Sequence, residues 1–348
     1  MTTVVQLIVA ILLSASVSSA YGQASTNLAL PSNAKANVLK VLPNQSVRAV
    51  SNRNDFLYLF NSSGQLTRTV DLNENRTSGT RYGDFDLWVN AQGDIFVLSV
   101  WKDQAFKSGV FVYDNQGNFQ RSVLLGKPVV ARRILVDGSG DLIVAGLSSD
   151  RYFGRSDQLF LLHKYRADGT HVRSFLQLDT NLYDPSGSMR NVYRTLYPLV
   201  DLAAVGICPR GIFAVVPGTR NVNFYHPSTL ALTEVVELQA PSGSWLNVSQ
   251  SMTDEHGQLN ETSLVIRKLQ VTATGIEAEF LQSQFYGSHA RRNTAVACRY
   301  NQNGNLLSEY PVKYRESGTL IRTTGTTAYT SVVKLRTRDG NSALIRSD

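Results

Sequence analysis

The sequence predicts an all-β fold, a six-bladed β-propeller with four antiparallel strands to a blade. Three observations carry that expectation. A four-stranded unit is legible from Asp84 to Leu125, reading DFDLWVNAQGDIFVLSVWKDQAFKSGVFVYDNQGNFQRSVLL. Hairpin turns of one kind begin at Asn61, Asp114, Arg166, His226, Asn301 and Thr337, with first spacings of 53 and 52 residues. Strand-favouring Tyr and Phe are plentiful, and no helical pattern of useful length interrupts the copies. A lone four-stranded sheet is marginal until one face packs on a neighbour, so one unit implies others like it.

The elements follow in order. Asn37–Leu42 and Ser46–Val50 alternate as strands, and Phe56–Phe60 turns through Asn61-Ser62-Ser63-Gly64 into Gln65–Leu72. The reference copy reads as strands Asp84–Val89, Asp94–Val100, Gly109–Tyr113 and Phe119–Leu125, with a looser polar loop at Trp101–Ser108. Its turns, Asn90-Ala91-Gln92-Gly93 and Asp114-Asn115-Gln116-Gly117, end in Gly, which takes the left-handed backbone a tight hairpin needs. The third copy runs from Arg133 through Asp137-Gly138-Ser139-Gly140 and Arg166-Ala167-Asp168-Gly169 to Leu178. The fourth has Leu202–Cys208, Ile212–Val216, Asn223–Tyr225, a Gly-free turn at His226-Pro227-Ser228-Thr229, and Ala231–Leu238. The fifth has Ser263–Val271, Ile276–Gln282, a long loop Ser283–Asn293, Ala295–Tyr300 and Asn305–Val312.

The sixth copy is compressed to about three strands: Thr319–Thr323, Tyr329–Arg336 and Ser342–Arg346. Propellers close by pairing strands from opposite chain ends, which removes sheet edges. Asn37–Leu42 is the natural donor to this last blade, beside Ser342–Arg346 or Tyr329–Arg336. The alternative is that Asn37–Leu42 begins the first blade.

The N-terminus reads as a secretory signal over residues 1–20. Val4–Leu13 is its apolar core, and Ser18 and Ala20 sit small-x-small for cleavage after Ala20, with Ala24 as runner-up. Residues 21–36 form an extended arm and 37–348 a single propeller domain, secreted or periplasmic, without stable membrane insertion. Two cysteines, Cys208 and Cys298, are too few for a disulfide framework; they read as free thiols on separate strands. The formal net charge of +7 favours acidic partners such as anionic glycans, although a solubilising surface explains it equally well.

Reaction signatures are lacking. There is no Gly-x-Ser-x-Gly, phosphate loop or dinucleotide fingerprint, and the five His are not paired at ligand spacing. Asp137-x-Ser139-x-Asp141 has a calcium-loop flavour, but hairpin turn chemistry explains it fully. Asp254-Glu255-His256 is an acid/base cluster in sequence and also ordinary turn chemistry.

The phrases DLWVNAQGDIFVLSV…GVFVYDNQGNFQRSV, ILVDGSGDLIVAG and LHKYRADGTHVRSF resemble the NHL-type and related six-bladed β-propellers of bacterial secreted proteins. The fourth and sixth copies match that pattern poorly. The resemblance covers residues 45–346 at the level of fold. It implies a binding scaffold, or a propeller hydrolase or lyase with one Ca2+ in the central channel.

Short turns fall at the first and third connections of each copy and long ones at the second and fourth, so the long ones share a face. That face carries the candidate ligand-binding set Arg151, Tyr152, Arg155, Arg190, Tyr193, Arg194, Phe285, Tyr286, His289, Arg291 and Arg292. Arg offers forked donors to carboxylate, sulfate or phosphate, and aromatic faces stack on sugars or peptides. The leading expectation is therefore a non-catalytic, monomeric binding module for a protein, glycan or acidic polymer, without cofactor, catalytic residue, metal or specific nucleic acid.

Overall fold

The computed structural model describes residues 27–29, 38–42, 44, 46–51, 55–74, 80–102, 106–148, 159–183, 192, 196, 200, 203–242, 265–272, 274–286, 290–312, 322–323, 332–338 and 341–347. Strands follow one another along the chain and group into sheets of sequential antiparallel neighbours, the arrangement of propeller blades. β1 (Asn27–Ala29) stands apart at the N-terminal end. The first blade holds β2 (Val38–Val41), β3 (Val47–Ser51), β4 (Phe56–Phe60) and β5 (Leu66–Asp71). The second holds β6 (Thr80–Val89), β7 (Ile95–Lys102), β8 (Phe106–Tyr113) and β9 (Phe119–Leu124). The third holds β10 (Val129–Val136), β11 (Leu142–Ser148), β12 (Phe160–Tyr165) and β13 (His171–Gln177). The fourth comprises β14 (Val205–Cys208), β15 (Gly211–Val215), β16 (Asn221–Tyr225) and β17 (Leu232–Glu237). The fifth comprises β18 (Val265–Val271), β19 (Ile276–Tyr286), β20 (Ala290–Tyr300) and β21 (Leu306–Val312). The chain continues with β22 (Arg322–Thr323), β23 (Val332–Arg338) and β24 (Asn341–Ser347).

Five four-stranded blades are therefore present among the described residues, where six were expected. The sixth sheet has three strands, in the order β1-β24-β23.

Closure differs from the expected donor. β2 does not join the C-terminal sheet: it pairs antiparallel with β3, and on its other edge it meets the two-residue β22 in parallel. The strand that joins β24 is β1, with Asn27 opposite Ile345 and Ala29 opposite Ala343. The reason lies in the turn after β2. Leu42 N–H donates to the Ser46 carbonyl at 2.8 Å, and Asn44 Oδ1 accepts from Ser46 N at 3.0 Å. A tight local turn closes a hairpin at far lower entropic cost than a distant pairing. β2 is thus committed to the first blade, which was the alternative reading.

Two expected loops are strand instead. Trp101–Ser108 was read as a polar loop, but β7 and β8 stay paired out to Lys102 opposite Phe106. Ser283–Asn293 was read as a long loop, but β19 and β20 pair to Tyr286 opposite Ala290. Polar residues at a hairpin tip satisfy backbone groups through the ladder as readily as through water, so polarity alone did not mark a loop. The expected absence of helix is also corrected: residues 192, 196 and 200 are helical. Val192, Leu196 and Val200, spaced by one turn, are fully buried in the core cluster that the second, third and fourth blades share.

The predicted turns have a shared mechanism. Asp114 accepts at its carbonyl from Gly117 N at 3.0 Å, while its Oδ1 accepts from Gln116 N at 2.9 Å and Asn118 N at 2.8 Å. Asn61, Asp137 and Asn301 repeat the pattern. The fourth blade lacks the Gly, and Leu230 takes the left-handed conformation there at φ 57°.

Contacts between successive blades run through their first strands: β2 against β6, β6 against β10, β10 against β14, and β14 against β18. The first strands therefore form the inner edge. Apolar faces stack blade on blade, for example Leu87, Val89, Val97 and Phe111 against Leu57 and Leu59. The outer strands β9, β13, β17 and β21 carry the exposed large apolar residues Phe119, Leu124, Val172, Leu232, Val235, Leu307 and Tyr310.

Candidate functional site

The expected site residues are not brought together by what the structure describes. Arg151, Tyr152, Arg155, Arg190, Tyr193, Arg194 and His289 lie outside the described residues. Phe285, Tyr286, Arg291 and Arg292 are placed by backbone alone, at the tip of the β19–β20 hairpin, with Phe285 opposite Arg291 and Gln284 opposite Arg292. That tip is at the end of its blade opposite the Gly275 and Gly304 turns, because the four strands alternate in direction. Asp254, Glu255 and His256 also lie outside the described residues.

A different cluster is assembled by the inner strands of the first three blades. β2 supplies Lys40, β6 supplies Asp86 and Trp88, and β10 supplies Arg132 and Arg133. All five are buried, the charged ones included: Lys40 4%, Asp86 1%, Arg132 6% and Arg133 7% exposed. Bulges shape these strands. The register of β10 slips between Ala131 and Arg133, and that of β6 between Asp84 and Asp86. An extra residue at a bulge re-aims its neighbours, and β10 is buried along its whole length, on both faces, so consecutive arginines are buried there.

The contacts are specific. Lys40 Nζ lies 3.8 Å from the centroid of the Trp88 ring. Asp86 Oδ2 accepts from Ile134 N at 2.9 Å, and its Oδ1 is 3.9 Å from Arg133 Nη1. Arg133 Nε donates to the Ala203 carbonyl at 3.3 Å, tying the cluster to the entry of the fourth blade. Burial pushes the Lys40 ammonium down to about 8, and the Asp86 charge pulls in the opposite direction without cancelling it. An amine, two guanidiniums, an indole face and one carboxylate can receive a carboxylate or other small oxyanion. A divalent cation needs an oxygen-rich shell, and this donor set on three adjacent blades does not fit one.

A second polar centre lies in the third blade, around Ser174. His163 Nδ1 is 2.8 Å from Ser174 Oγ and its Nε2 is 3.3 Å from the Gly146 carbonyl. Lys127 Nζ donates to Ser174 Oγ at 2.9 Å, and His171 Nε2 lies 3.1 Å from it. With His163 Nε2–H on the carbonyl, its Nδ1 accepts the serine proton, and both serine lone pairs then take donors. The hydroxyl is saturated, which suits a structural hub and not an attacking nucleophile. Burial is the main reason His163 is lowered to about 3, and the Lys127 charge adds to it.

The calcium-like Asp137-x-Ser139-x-Asp141 turn is occupied by protein. Lys164 Nζ sits 2.9 Å from Asp137 Oδ2 and 3.2 Å from Asp141 Oδ2, where a cation would bind. Cys208 and Cys298 are both free thiols, as their separate strands implied. Among the described residues no group of three or more His, Cys, Asp or Glu is placed to hold a metal, and no helix is long and apolar enough to cross a membrane.

Sequence reasoning missed the inner-edge cluster. The available signal was charge inside apolar strand runs: Lys40 in VLKVL, Asp86 in DFDLWV, and Arg132-Arg133 in VVARRILV.

No family model matches the chain, and no curated protein matches it. Solved structures share its fold. A protein of Bacteroides fragilis described as exported is 13% identical, with 94% of each chain covered and a TM-score of 0.56. A member of the DUF4221 family from Bacteroides vulgatus is 6% identical, covering 93% of this chain and 96% of its own, also at 0.56. Virginiamycin B lyase from Staphylococcus aureus is 11% identical over 94% of this chain and all of its own, at 0.47, a level that carries no argument about this chain. The likenesses are of fold.

Proposed function

We propose that the protein is an exported six-bladed propeller that works as a binding module, receiving an anionic group of its ligand at the inner-edge cluster. One observation carries this reading. Lys40 against Trp88, and Arg133 beside Asp86, are buried on the first strands of three successive blades, with Arg132 buried next along the same strand as Arg133. Burying charge is costly, and a buried charge perturbed by desolvation beside a specific partner is a candidate functional site. The fit is to a small carboxylate or to the acidic end of a glycan.

Several finer elements belong to the same proposal. The three-stranded β1-β24-β23 sheet serves as the sixth blade, closed by strands from both chain ends. The turn pattern is of NHL type. Residues 1–20 act as a cleaved secretory signal, with the exported description of the B. fragilis protein in keeping with it. The basic and aromatic residues Arg151, Tyr152, Arg155, Arg190, Tyr193, Arg194, Phe285, Tyr286, His289, Arg291 and Arg292 stay in the proposal as a second ligand-binding set.

The test is a titration of acidic sugars and short carboxylates into the mature protein at low and high salt. Arg132→Gln and Arg133→Gln should each weaken binding about tenfold or more, the worth of a lost charge-assisted hydrogen bond. Arg151→Ala and Arg291→Ala should weaken it less, and mainly at low salt. Binding that is indifferent to Arg132 and Arg133 would remove the site from the axis.

A further inference from the structure

We propose that the seam between the outer edges of the second and third blades binds a tetrahedral oxyanion, a phosphate or sulfate group of a ligand, between Arg121, Lys127 and His171. This surface is separate from the inner-edge site and does not depend on it.

Backbone contacts close the seam. Gly126 N–H donates to the Gly169 carbonyl at 2.9 Å, and a Cβ placed on Gly126 would lie 3.8 Å from His171 N. Val123 Cγ1 would lie 2.9 Å from a Cβ on Gly169, so Val123 faces the third blade. Strand alternation puts Arg121 on the same face of β9, about 7 Å along the strand. On the third blade, Ser174 Oγ accepts from Lys127 Nζ at 2.9 Å and lies 3.1 Å from His171 Nε2. One hydroxyl therefore fixes an ammonium and an imidazole side by side. Lys127 and His171 are half-buried and Arg121 is exposed, so a solute can reach all three.

These groups have no carboxylate to answer them. β9, residues 125–128 and β13 contain no Asp or Glu. The acid of the facing turn, Asp168, is exposed and accepts from Thr170 N at 2.8 Å within its own turn. Among the described residues Ser174 is the hydrogen-bond partner of Lys127 Nζ, which leaves the other N–H donors of that ammonium for a ligand. The first seam shows what the guanidinium position can do. Arg68 and Arg121 occupy the same register position, just past the bulge of their outer strands. Arg68 Nη1 latches onto the next blade, donating to the Gln116 carbonyl and to Asn118 Oδ1 at 2.8 Å each. Arg121 makes no such bond among the described residues, so the second seam keeps its guanidinium open. A tetrahedral oxyanion presents several acceptor oxygens and can take a guanidinium fork and an ammonium together.

His171 makes the site sensitive to pH. With Nε2–H on Ser174, the neutral ring has an acceptor at Nδ1, and only the protonated ring offers a second donor. Its neighbours from the packed elements are Lys127, His163, Tyr165 and Ser174. Burial and then the Lys127 charge hold His171 below its ordinary value, and a bound anion would pull it back up.

The experiment is an NMR titration of the whole protein with sodium sulfate, whose charge is constant over the range used, and with inorganic phosphate. The backbone amides from Gly169 to Ser174 and the His171 ring are followed. Sulfate should shift them, and saturation should raise the His171 pKa. Arg121→Gln and Lys127→Gln, checked as folded by circular dichroism, should each weaken sulfate binding about tenfold. Arg173→Gln removes the same charge from the other face of β13 and should leave binding within about twofold. Binding should tighten as pH falls through the His171 titration, and His171→Gln should remove that gain. Arg132→Gln at the inner edge should leave the seam unaffected. Phosphate monoesters and sulfated sugars, titrated in the same way, distinguish the two sources of the group, and preference for either supports the site. Folded wild type that shows no shift in these amides up to about 10 mM sulfate overturns the proposal. So does an equal loss in Arg121→Gln and Arg173→Gln, which would mean diffuse attraction to a basic surface.

Discussion

Gly169→Ala and Gly140→Ala form a matched pair that tests whether the recurring turn glycine is a contact between blades. Both residues sit in Asx-type turns with nearly the same backbone, φ +90° at Gly169 and +85° at Gly140. The intrinsic strain of Ala in that region is therefore shared, at about 1–2 kcal/mol. The surroundings differ. A Cβ at Gly140 meets nothing within 4 Å. At Gly169 it falls 2.1 Å from the carbonyl oxygen of Leu124 and 2.9 Å from Val123 Cγ1, both on the outer strand of the preceding blade. A backbone oxygen cannot swing aside, so the third blade must move away by roughly 1 Å to restore van der Waals separation. That motion stretches the 2.9 Å bond from Gly126 N–H to the Gly169 carbonyl. Overpacking at about 1–3 kcal/mol and a hydrogen bond at about 1 kcal/mol then add to the shared strain. Gly169→Ala should cost about 3–6 kcal/mol and Gly140→Ala about 1–2, read by urea denaturation of both variants. Gly304 repeats the geometry, with its Cβ 2.4 Å from the Glu237 oxygen, and should behave like Gly169. Equal losses at Gly140 and Gly169 would refute the reasoning, because backbone strain alone would then account for both.

Other outcomes follow from the same contacts. His163 titrates near 3 when folded and near 6.5 when unfolded, so its contribution is whole above pH 6.5 and is lost as pH falls toward 3. Between pH 7 and pH 5 the wild type should lose about 2 kcal/mol that His163→Gln does not, measured by urea titration at each pH. Lys40→Met should raise stability by roughly 1–3 kcal/mol at pH 7 while weakening anion binding, since it removes a charge that folding strips of water. The wild type should in turn gain stability as pH rises from about 8 toward 10.5, the interval between the folded and unfolded Lys40 values. Deleting residues 21–30 removes β1 and bares the edge of β24, which should lower the Tm by several degrees; an unchanged melting curve would mean β1 does not close the sheet. Non-reducing peptide mapping should find no Cys208–Cys298 linkage.

The turns were legible from Asp114, Asn301 and their glycines because every bond that defines them spans four residues or fewer. Strand identity was legible for the same kind of reason: alternation in segments such as Phe56–Phe60 reports on one blade's own two faces. The limits of strands were not, as β7, β8, β19 and β20 show, since a ladder can run on through polar residues once a partner strand lies beside it. The buried helical stripe at Val192, Leu196 and Val200 hid in a segment rich in Tyr, Arg and Pro, and only packing into the core of the second, third and fourth blades distinguishes it from a loop.

What the sequence determined by itself is thus the repeating antiparallel blade and the turn chemistry that closes each hairpin. Both depend on interactions between near neighbours along the chain. Which strand closes the last sheet, and which side chains meet at the axis, were decided by tertiary structure alone. β1 and β24 are separated by nearly the whole chain, and nothing in NLA names ALI as its partner. Lys40, Asp86 and Arg132 occupy three different blades, and each looks like an ordinary charge in a strand until the ring places their inner edges side by side. Burial then changes their chemistry: loss of water lowers the Lys40 ammonium to about 8, against the pull of the Asp86 charge and the Trp88 face, both of which favour the cation.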